Sequence, residues 1–229
     1  MHIQVESLIA AAIILLVSFP VHECAHAYAA YRLGDGTAKL FGRLTLNPIV
    51  HFDPIGGLLL VASSLTGVGI GWAKPTPVNP SNLRGGSDSE GIVAFAGPAS
   101  NLVLAAIGAI PLRLLLATGS TPLGLILFEP VSGANIVPKV LFYFVLINVA
   151  LALFNLVPIP PLDGSKVLFS MMNPRQVWQW RPTLEQYGFI LLIFVAFVPL
   201  LPGSQTIFSF IFEKIGGPIV NVLIGQSVF

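Results

Sequence analysis

The amino-acid sequence predicts an all-α membrane protein that crosses the bilayer several times, and three observations support this prediction. Hydrophobic residues make up 55% of the 229 residues, and charged residues only 9%. The mean hydropathy of +0.85 is well above that of an ordinary soluble domain. Several charge-free segments are long enough to cross the roughly 30 Å hydrocarbon core. We therefore expect one integral-membrane domain: a bundle of about five to six transmembrane helices with a small membrane-associated β-hairpin or re-entrant element.

The first predicted helix runs from about Val5 to Tyr31. No basic region precedes it, as it would in a cleaved signal peptide, so we expect this helix to remain in the protein. Pro20 removes one backbone hydrogen bond and should kink the helix or loosen its packing. The helix should end near Gly34, because glycine permits a left-handed C-cap.

The pattern changes between residues 37 and 82, where glycine, proline and asparagine recur. Leu40–Leu46 alternates like a strand, and Gly71–Val78 is typical of a second extended piece. Between them, Ile55–Ile70 is apolar but rich in glycine, so it is either a short span or a re-entrant hairpin.

The distribution of basic residues favours re-entry of Ile55–Ile70. If this segment returns to the side from which it enters, eight of the 11 basic residues lie on one side of the membrane. They are Arg32, Lys39, Arg43, Lys74, Arg84, Lys166, Arg175 and Arg181. The positive-inside rule assigns that side to the cytoplasm, and the N-terminus to the outside.

Four further spans complete the predicted bundle. A segment that opens with small residues at Ala96–Asn101 should let helices approach closely. A polar stretch from Pro158 to Glu185 separates the second and third of these spans. The four spans are Ile92–Leu116, Val140–Val157, about Tyr187–Leu201 and Thr206–Ile224.

The strongest chemical signal is His22-Glu23-x-x-His26 within the first helix. Residues four apart share one helix face, so both imidazoles can bind one metal ion with Glu23 beside it. This is zinc-hydrolase geometry, and a tetrahedral zinc would need a third protein ligand and an open position for water. Cys24, the single cysteine, points elsewhere at that spacing, so we interpret it as an apolar filler, with ligation as the alternative.

Asp163 is the favoured third ligand. It follows a membrane span through a proline-stiffened run and precedes Gly164, which permits a tight turn. The alternative is an ordinary turn at a helix end, but an intramembrane carboxylate needs a partner, and the incomplete site offers one. The other residues considered include His2, His51, Asp35 and Asp53.

These motifs carry a family resemblance. His22-Glu23-x-x-His26 followed by Asn155-x-x-Pro158-x-Pro160-x-Leu162-Asp163-Gly164 resembles the site-2 protease family of intramembrane zinc metalloproteases. Further stretches resemble its compact bacterial and archaeal branch, which lacks a PDZ or CBS domain: Gly97-Pro98-x-x-Asn101, Asn47-Pro48, His51-x-Asp53-Pro54 and Gly71-Trp72-Ala73-Lys74-Pro75.

The resemblance implies one zinc ion per chain, held by His22, His26 and Asp163, with Glu23 as the general base. It implies regulated intramembrane proteolysis of transmembrane protein or peptide substrates in the lipid bilayer. We expect a multi-pass protein of a prokaryotic cell membrane with its active site toward the cytoplasm. The single metalloprotease domain over residues 1–229 would have a catalytic core at about 5–173 and closing helices at about 185–226.

Further residues are candidates for contact with substrate or the transition state. Trp72–Val78 could bind an unwound substrate along a strand edge, with Lys74 as an edge charge, or be a surface loop. Asn155 and Asn101 could each donate to substrate or the oxyanion, or form an interhelical hydrogen bond. His51 could assist catalysis together with Asp53, or the two could form an ordinary loop pair.

Other functions fit the sequence less well. A net charge of +1 gives no reason to expect a nucleic-acid partner, and no feature indicates an oligomeric state. A pseudoprotease that binds transmembrane clients would be expected to have lost Glu23 or a ligand. A metal carrier should distribute polar residues through several spans or show a repeated half.

Overall fold

The computed structural model describes residues 5–66, 71–119, 122–133, 135–199 and 204–228, and over these residues it is a helical bundle. The α-helices of the described residues are α1 (Val5–Ile13), α2 (Phe19–Arg32), α3 (Thr37–Leu40), α4 (Pro48–His51), α5 (Pro54–Thr66), α6 (Gly86–Ala117), α7 (Leu123–Leu127), α8 (Ile136–Asn155), α9 (Asp163–Met171), α10 (Pro174–Phe197), α11 (Ile207–Ile211) and α12 (Gly217–Ile224). Helix α6 occupies the centre and packs against α2, α8 and α9.

The predicted first helix is present as α1 and α2, joined through a π-helical turn at Ile14–Ser18. This turn ends two residues before Pro20, so the looser hydrogen bonding falls within one turn of the proline that removes a donor. The helix ends at Arg32, and Gly34 takes a φ of +111°, the left-handed conformation expected of it.

Four helices of the described residues are long and apolar enough to cross a membrane: Leu8–Arg32, Gly86–Ala117, Ile136–Asn155 and Ile207–Ile224. The expected number of five to six is therefore not confirmed. Helix α10 starts at Pro174, well before the predicted Tyr187, and its first half carries Arg175, Arg181 and Glu185. A capping box starts it early, because Asn173 and Gln176 exchange side-chain and main-chain hydrogen bonds.

The predicted β-hairpin is not found among the described residues. Leu40–Leu46 is not a strand: α3 covers its first residue, and Gly42 turns the chain with a φ of +68°. Arg43 N donates to Ala38 O at 2.8 Å, so the residues with the alternating pattern form a local turn instead of a strand. Residues 71–79 contain no helix, in line with the extended piece expected there, and Gly71 and Trp72 pack against α5 rather than pairing with a strand.

Helix α5 lies against the start of the extended segment 71–79. The 13 described residues of α5 span about 20 Å, less than the thickness of the hydrocarbon core. A Cβ on Gly56 would lie 2.2 Å from Trp72 O, so the two backbones touch. Lys74 N donates to His51 O at 2.9 Å, so the residues just before α5 lie beside those of segment 71–79. This is the arrangement expected if Ile55–Ile70 re-enters. Residues 67–70 lie outside the described residues.

The main apolar core lies between the C-terminal half of α6, α8 and α12. Its buried members share small or branched side chains that interlock closely. They include Ala105, Ala109, Leu112, Val145, Val149, Val220 and Ile224. The N-terminal half of α6, by contrast, faces α2 and α9 and forms one wall of the candidate site.

Candidate metal centre

His22, His26 and Asp163 converge at one point between α2, α6 and α9. Their ligand atoms all lie within 4.8 Å of one another, and both Nε2 atoms are 3.1 Å from Asp163 Oδ2. The two imidazoles project from one face of α2, with ring centroids 4.7 Å apart and planes nearly perpendicular. Asp163 is the first residue of α9, and the turn after α8 delivers it. Within the described residues, no other cluster of this kind is found, and Cys24 is not part of it.

The outer nitrogen of each imidazole has its own partner. His26 Nδ1 is 2.7 Å from Val93 O, a main-chain carbonyl that can only accept. The proton of a neutral His26 therefore sits on Nδ1, which leaves the Nε2 lone pair facing Asp163. His22 Nδ1 lies 2.6 Å from Asn101 Oδ1, and Asn101 is fully buried.

This donor set fits a metal ion. Two imidazole lone pairs and a carboxylate oxygen meet in a buried space, and such groups repel one another unless a cation lies between them. Gly97 on α6 backs the same space: a Cβ there would lie 2.4 Å from His26 Nε2 and 2.6 Å from His22 Nε2. Two histidines, one carboxylate and an open position are typical of catalytic zinc sites.

Asp163 directs one carboxylate oxygen at both imidazoles, and an ionised carboxylate is the form that binds a metal ion.

Glu23 is fixed by Thr76, which the sequence analysis did not identify. Thr76 N donates to Glu23 Oε2 at 2.7 Å, and Thr76 Oγ1 donates to the Glu23 main-chain oxygen at 3.0 Å. Thr76 stands between Pro75 and Pro77, which have no N–H group. The signal that could have identified Thr76 is therefore this single backbone donor between two prolines.

Two cavities meet at the metal centre. A polar cavity of about 380 Å³ is bordered by the cluster, Glu23, Thr76 and charged side chains that include Lys166 and Arg181. A cavity of about 370 Å³ with more apolar walls lies on the other side, bordered by Phe19, Trp72, Leu151 and Phe154. The residues that border both cavities are His22, Glu23, Pro75, Asn155 and Pro161. The candidate base thus lies where a polar compartment joins an apolar one.

The remaining predicted site residues have different surroundings. Asn155 borders both cavities, and its Nδ2 donates to Leu151 O at 2.9 Å, which uses one of its two amide hydrogens. Asn101 does not border either cavity, so its contacts match the interhelical alternative. Trp72 lines the apolar cavity and is 44% exposed.

The predicted pairing of His51 with Asp53 is wrong. His51 Nε2 lies 2.8 Å from Thr45 O, and His51 is 2% exposed. Asp53 Oδ1 instead accepts from Ile55 N and Gly56 N at the start of α5. Asp53 therefore caps the start of α5, where backbone donors need acceptors, and His51 donates to a loop carbonyl group. Lys74 is exposed and borders neither cavity.

Asp35, considered above as a ligand, joins two loops instead. It is fully buried and accepts from Thr37 N and Oγ1, from Asn79 N and from Asn82 Nδ2. Burial alone would raise the pKa of its carboxyl group, but these hydrogen bonds lower the pKa below its ordinary value. The far end of the extended segment 71–79 is thereby tied to the end of α2.

The chain is similar to several known proteins over most of its length. The chain is 40% identical over 188 residues to the "Putative zinc metalloprotease YwhC" of Bacillus subtilis, covering 82% of this chain and 80% of the relative. It is 33% identical to the "Putative zinc metalloprotease Rip2" of Mycolicibacterium smegmatis, over 81% of this chain and 66% of the relative. The protein of that name in Mycobacterium tuberculosis strain H37Rv is also 33% identical, with 82% and 66% covered. No solved structure matches the chain significantly.

The family model of peptidase family M50 matches residues 10–177, a range that contains the whole metal cluster, Glu23 and Thr76. This match covers well over half of the chain, and it agrees with the resemblance of the two motifs to site-2 proteases. The chain therefore belongs to peptidase family M50, the site-2 protease family.

Proposed function

We propose that this protein is an intramembrane zinc metalloprotease that hydrolyses peptide bonds within or near transmembrane segments of membrane-protein substrates. One zinc ion per chain would be held by His22, His26 and Asp163. The observation that supports this most directly is the convergence of these three ligands beside Glu23, on a helix apolar enough to span the membrane. Family membership and the zinc metalloprotease names of the relatives point the same way.

The metal ligands, Glu23 and Thr76 have separate roles in the proposed peptide hydrolysis. A zinc ion in this site would lower the pKa of a bound water molecule and polarise the scissile carbonyl group. Glu23 takes a proton from the attacking water and returns it to the leaving amine. Thr76 holds one carboxylate oxygen of Glu23 through a backbone N–H group, and the other oxygen of that carboxylate can face the water.

Substrate would reach this chemistry from the apolar cavity, and water from the polar one. A transmembrane helix must unwind before its carbonyl groups can be attacked, and an unwound segment needs hydrogen-bond partners. Asn155 borders both cavities and retains one amide hydrogen for the oxyanion or the substrate backbone. Trp72 would pack against the apolar side chains that enter beside it.

The extended segment 71–79 supplies the other partners for an unwound substrate. Lys74 and Thr76 turn their N–H groups toward the protein, so the alternate residues 73, 75 and 77 turn their main-chain groups outward. Two of those three are prolines and offer only carbonyl oxygens. The outward edge is therefore rich in acceptors, and a substrate would bind there chiefly through its own N–H groups.

The charge distribution supports an active site near the cytoplasmic face of a prokaryotic cell membrane. Lys166 and Arg181 border the polar cavity, on the side to which the positive-inside rule assigns the cytoplasm. The catalytic core at about 5–173 would hold all the chemistry, and the closing helices would complete the bundle in the bilayer.

The decisive test compares the wild type with Glu23→Gln on a panel of single-span membrane proteins in liposomes, with zinc content measured for both. We expect the wild type to cut within or near the spans, and the variant to keep zinc but lose activity by about 10²–10⁴-fold. Glu213→Gln makes the same chemical change at an exposed position and should cut like the wild type. Equal cutting by wild type and Glu23→Gln would contradict the assigned base. Zinc binding without cutting would favour a protein that binds transmembrane clients.

A further inference from the structure

Two buried asparagines connect the metal centre to α8. Asn101 and Asn148 are both 0% exposed. Asn101 Nδ2 donates to Asn148 Oδ1 at 2.9 Å, and Asn148 Nδ2 donates to Phe144 O at 2.8 Å. At the other end, Asn101 Oδ1 lies 2.6 Å from His22 Nδ1. The four groups form a continuous chain of hydrogen bonds from a main-chain carbonyl to a candidate metal ligand.

The main-chain carbonyl of Phe144 fixes the orientation of each group in this series of hydrogen bonds. Phe144 O can only accept, so Asn148 must present its NH₂ group there and its oxygen toward Asn101. Asn101 must then present its NH₂ group to Asn148 and its oxygen to His22. Only a proton on Nδ1 satisfies that oxygen, so the His22 Nε2 lone pair is left to face Asp163. Reversing any link would bring two donors or two acceptors together in a buried site, which is costly.

The two histidines differ in how this proton is held. His26 Nδ1 donates to Val93 O, a main-chain oxygen that cannot exchange places with a donor. The partner of His22 is a side-chain amide, which presents either an oxygen or an NH₂ group depending on its rotation. An NH₂ group facing Nδ1 would favour the opposite tautomer, with the proton on Nε2, where a metal ion must bind.

We propose that Asn148 is a positioning residue that fixes the orientation of Asn101 and thereby keeps the His22 proton on Nδ1. This inference deepens the proposed zinc site and rests on it. Asn148 contacts neither the ligand atoms nor the two cavities, so its effect on the metal passes through Asn101. The sequence predicts a span around Asn148, and nothing in that span singles this residue out.

The test measures zinc affinity by competition with a chelator for the wild type, Asn148→Leu and Asn148→Asp. Asn148→Leu removes the acceptor for Asn101, and we expect zinc binding to weaken by about 10–100-fold. Asn148→Asp keeps an acceptor toward Asn101, and as a neutral acid it also keeps a donor toward Phe144 O, so we expect it to restore most of the affinity. Equal affinity of wild type and Asn148→Leu would overturn the proposal.

Asn135→Leu is the matched control. Asn135 is 2% exposed, and among the described residues its side chain binds only main-chain groups, at Leu125, Pro130 and Ser132. Its loss should lower thermal stability while the folded fraction keeps wild-type zinc affinity. A similar loss of zinc affinity in Asn135→Leu would mean that general destabilisation, rather than His22, explains the Asn148 result, and would count against the proposal.

The two proposals fail in different ways. A wild type that binds no zinc refutes the zinc site and with it the role of Asn148. A wild type that binds zinc, but no more tightly than Asn148→Leu does, refutes the role of Asn148 alone.

Discussion

The two halves of α6 use the same helix for different purposes. The N-terminal half faces the metal centre with Gly97, Asn101 and the Val93 carbonyl, and polar contacts dominate there. The C-terminal half packs Ala109 and Leu112 into the apolar core against α8 and α12. Because lipid tails are as apolar as leucine, van der Waals packing rather than water exclusion stabilises that core. Metal affinity and the stability of the bundle can therefore be altered separately along one helix.

The largest expected effect tests the core half. Leu112 is 0% exposed, so Leu112→Ala should leave a cavity and lower the free energy of unfolding by about 2–3 kcal/mol, the lower part of the range for buried leucines. Unfolding in mixed detergent micelles measures this change. The zinc affinity of the folded fraction should be unchanged, and a loss of zinc at full stability would break the division between the halves.

The next prediction places the same substitution in each half. Gly97→Ala adds a methyl group within 2.6 Å of both Nε2 atoms, so zinc affinity should fall by about 10–100-fold, and the overpacking should also lower the free energy of unfolding by about 1–3 kcal/mol. Gly108→Ala is the matched change in the core half, where the methyl group would lie 2.5 Å from Phe144 Cδ1. It should lower stability by about 1–3 kcal/mol and leave zinc binding intact. Identical profiles for the two variants would contradict the comparison.

Asp35 makes further buried polar contacts, between the loop after α2 and the loop before α6. Asp35→Asn weakens the hydrogen bonds to Asn79 and Asn82, and we expect it to lower the free energy of unfolding by about 1–3 kcal/mol at neutral pH. Because the folded pKa of Asp35 lies below its ordinary value, this stabilisation is present above the ordinary aspartate pKa of about 3.9 and is lost as the pH falls through the folded pKa.

Unfolding curves at neutral and acidic pH test the Asp35 prediction. The difference between wild type and Asp35→Asn should shrink in acid. Asp88→Asn, an exposed aspartate at the start of α6, is the control and should change stability little at either pH. A difference between wild type and Asp35→Asn that does not depend on pH would show that the charge of Asp35 contributes nothing.

The smallest expected effect concerns Thr76. Thr76→Val keeps the backbone N–H group that binds Glu23 Oε2 but removes the hydroxyl bond to the Glu23 main chain. Losing this one bond should lower kcat by a few-fold, about 0.5–1 kcal/mol in activation free energy, with KM and zinc content unchanged. Thr76→Ser keeps the hydroxyl and should behave like the wild type, whereas a loss in Thr76→Ser equal to that in Thr76→Val would show that the hydroxyl bond is not the cause.

The spacing of apolar residues and the positions of glycine and proline were sufficient to predict much of the fold. The charge-free runs predicted the first helix and the cores of α6 and α8, because a span must be long and apolar whatever it packs against. The start of α10 was missed because a capping box can begin a helix within a polar stretch. The predicted strand at Leu40–Leu46 failed because alternation predicts a strand only where a partner strand exists.

The candidate site divides in the same way. The sequence by itself determined that His22, Glu23 and His26 share a helix face, because the helical repeat places residues four apart together. The proline-rich motif that precedes Asp163 made this residue the expected third metal ligand. Only the tertiary structure decided that Asp163 reaches both imidazoles, that Thr76 binds Glu23 and that Asn148 points at Asn101. Those contacts join residues far apart in the chain, and their distances depend on how the helices pack, which no local pattern encodes.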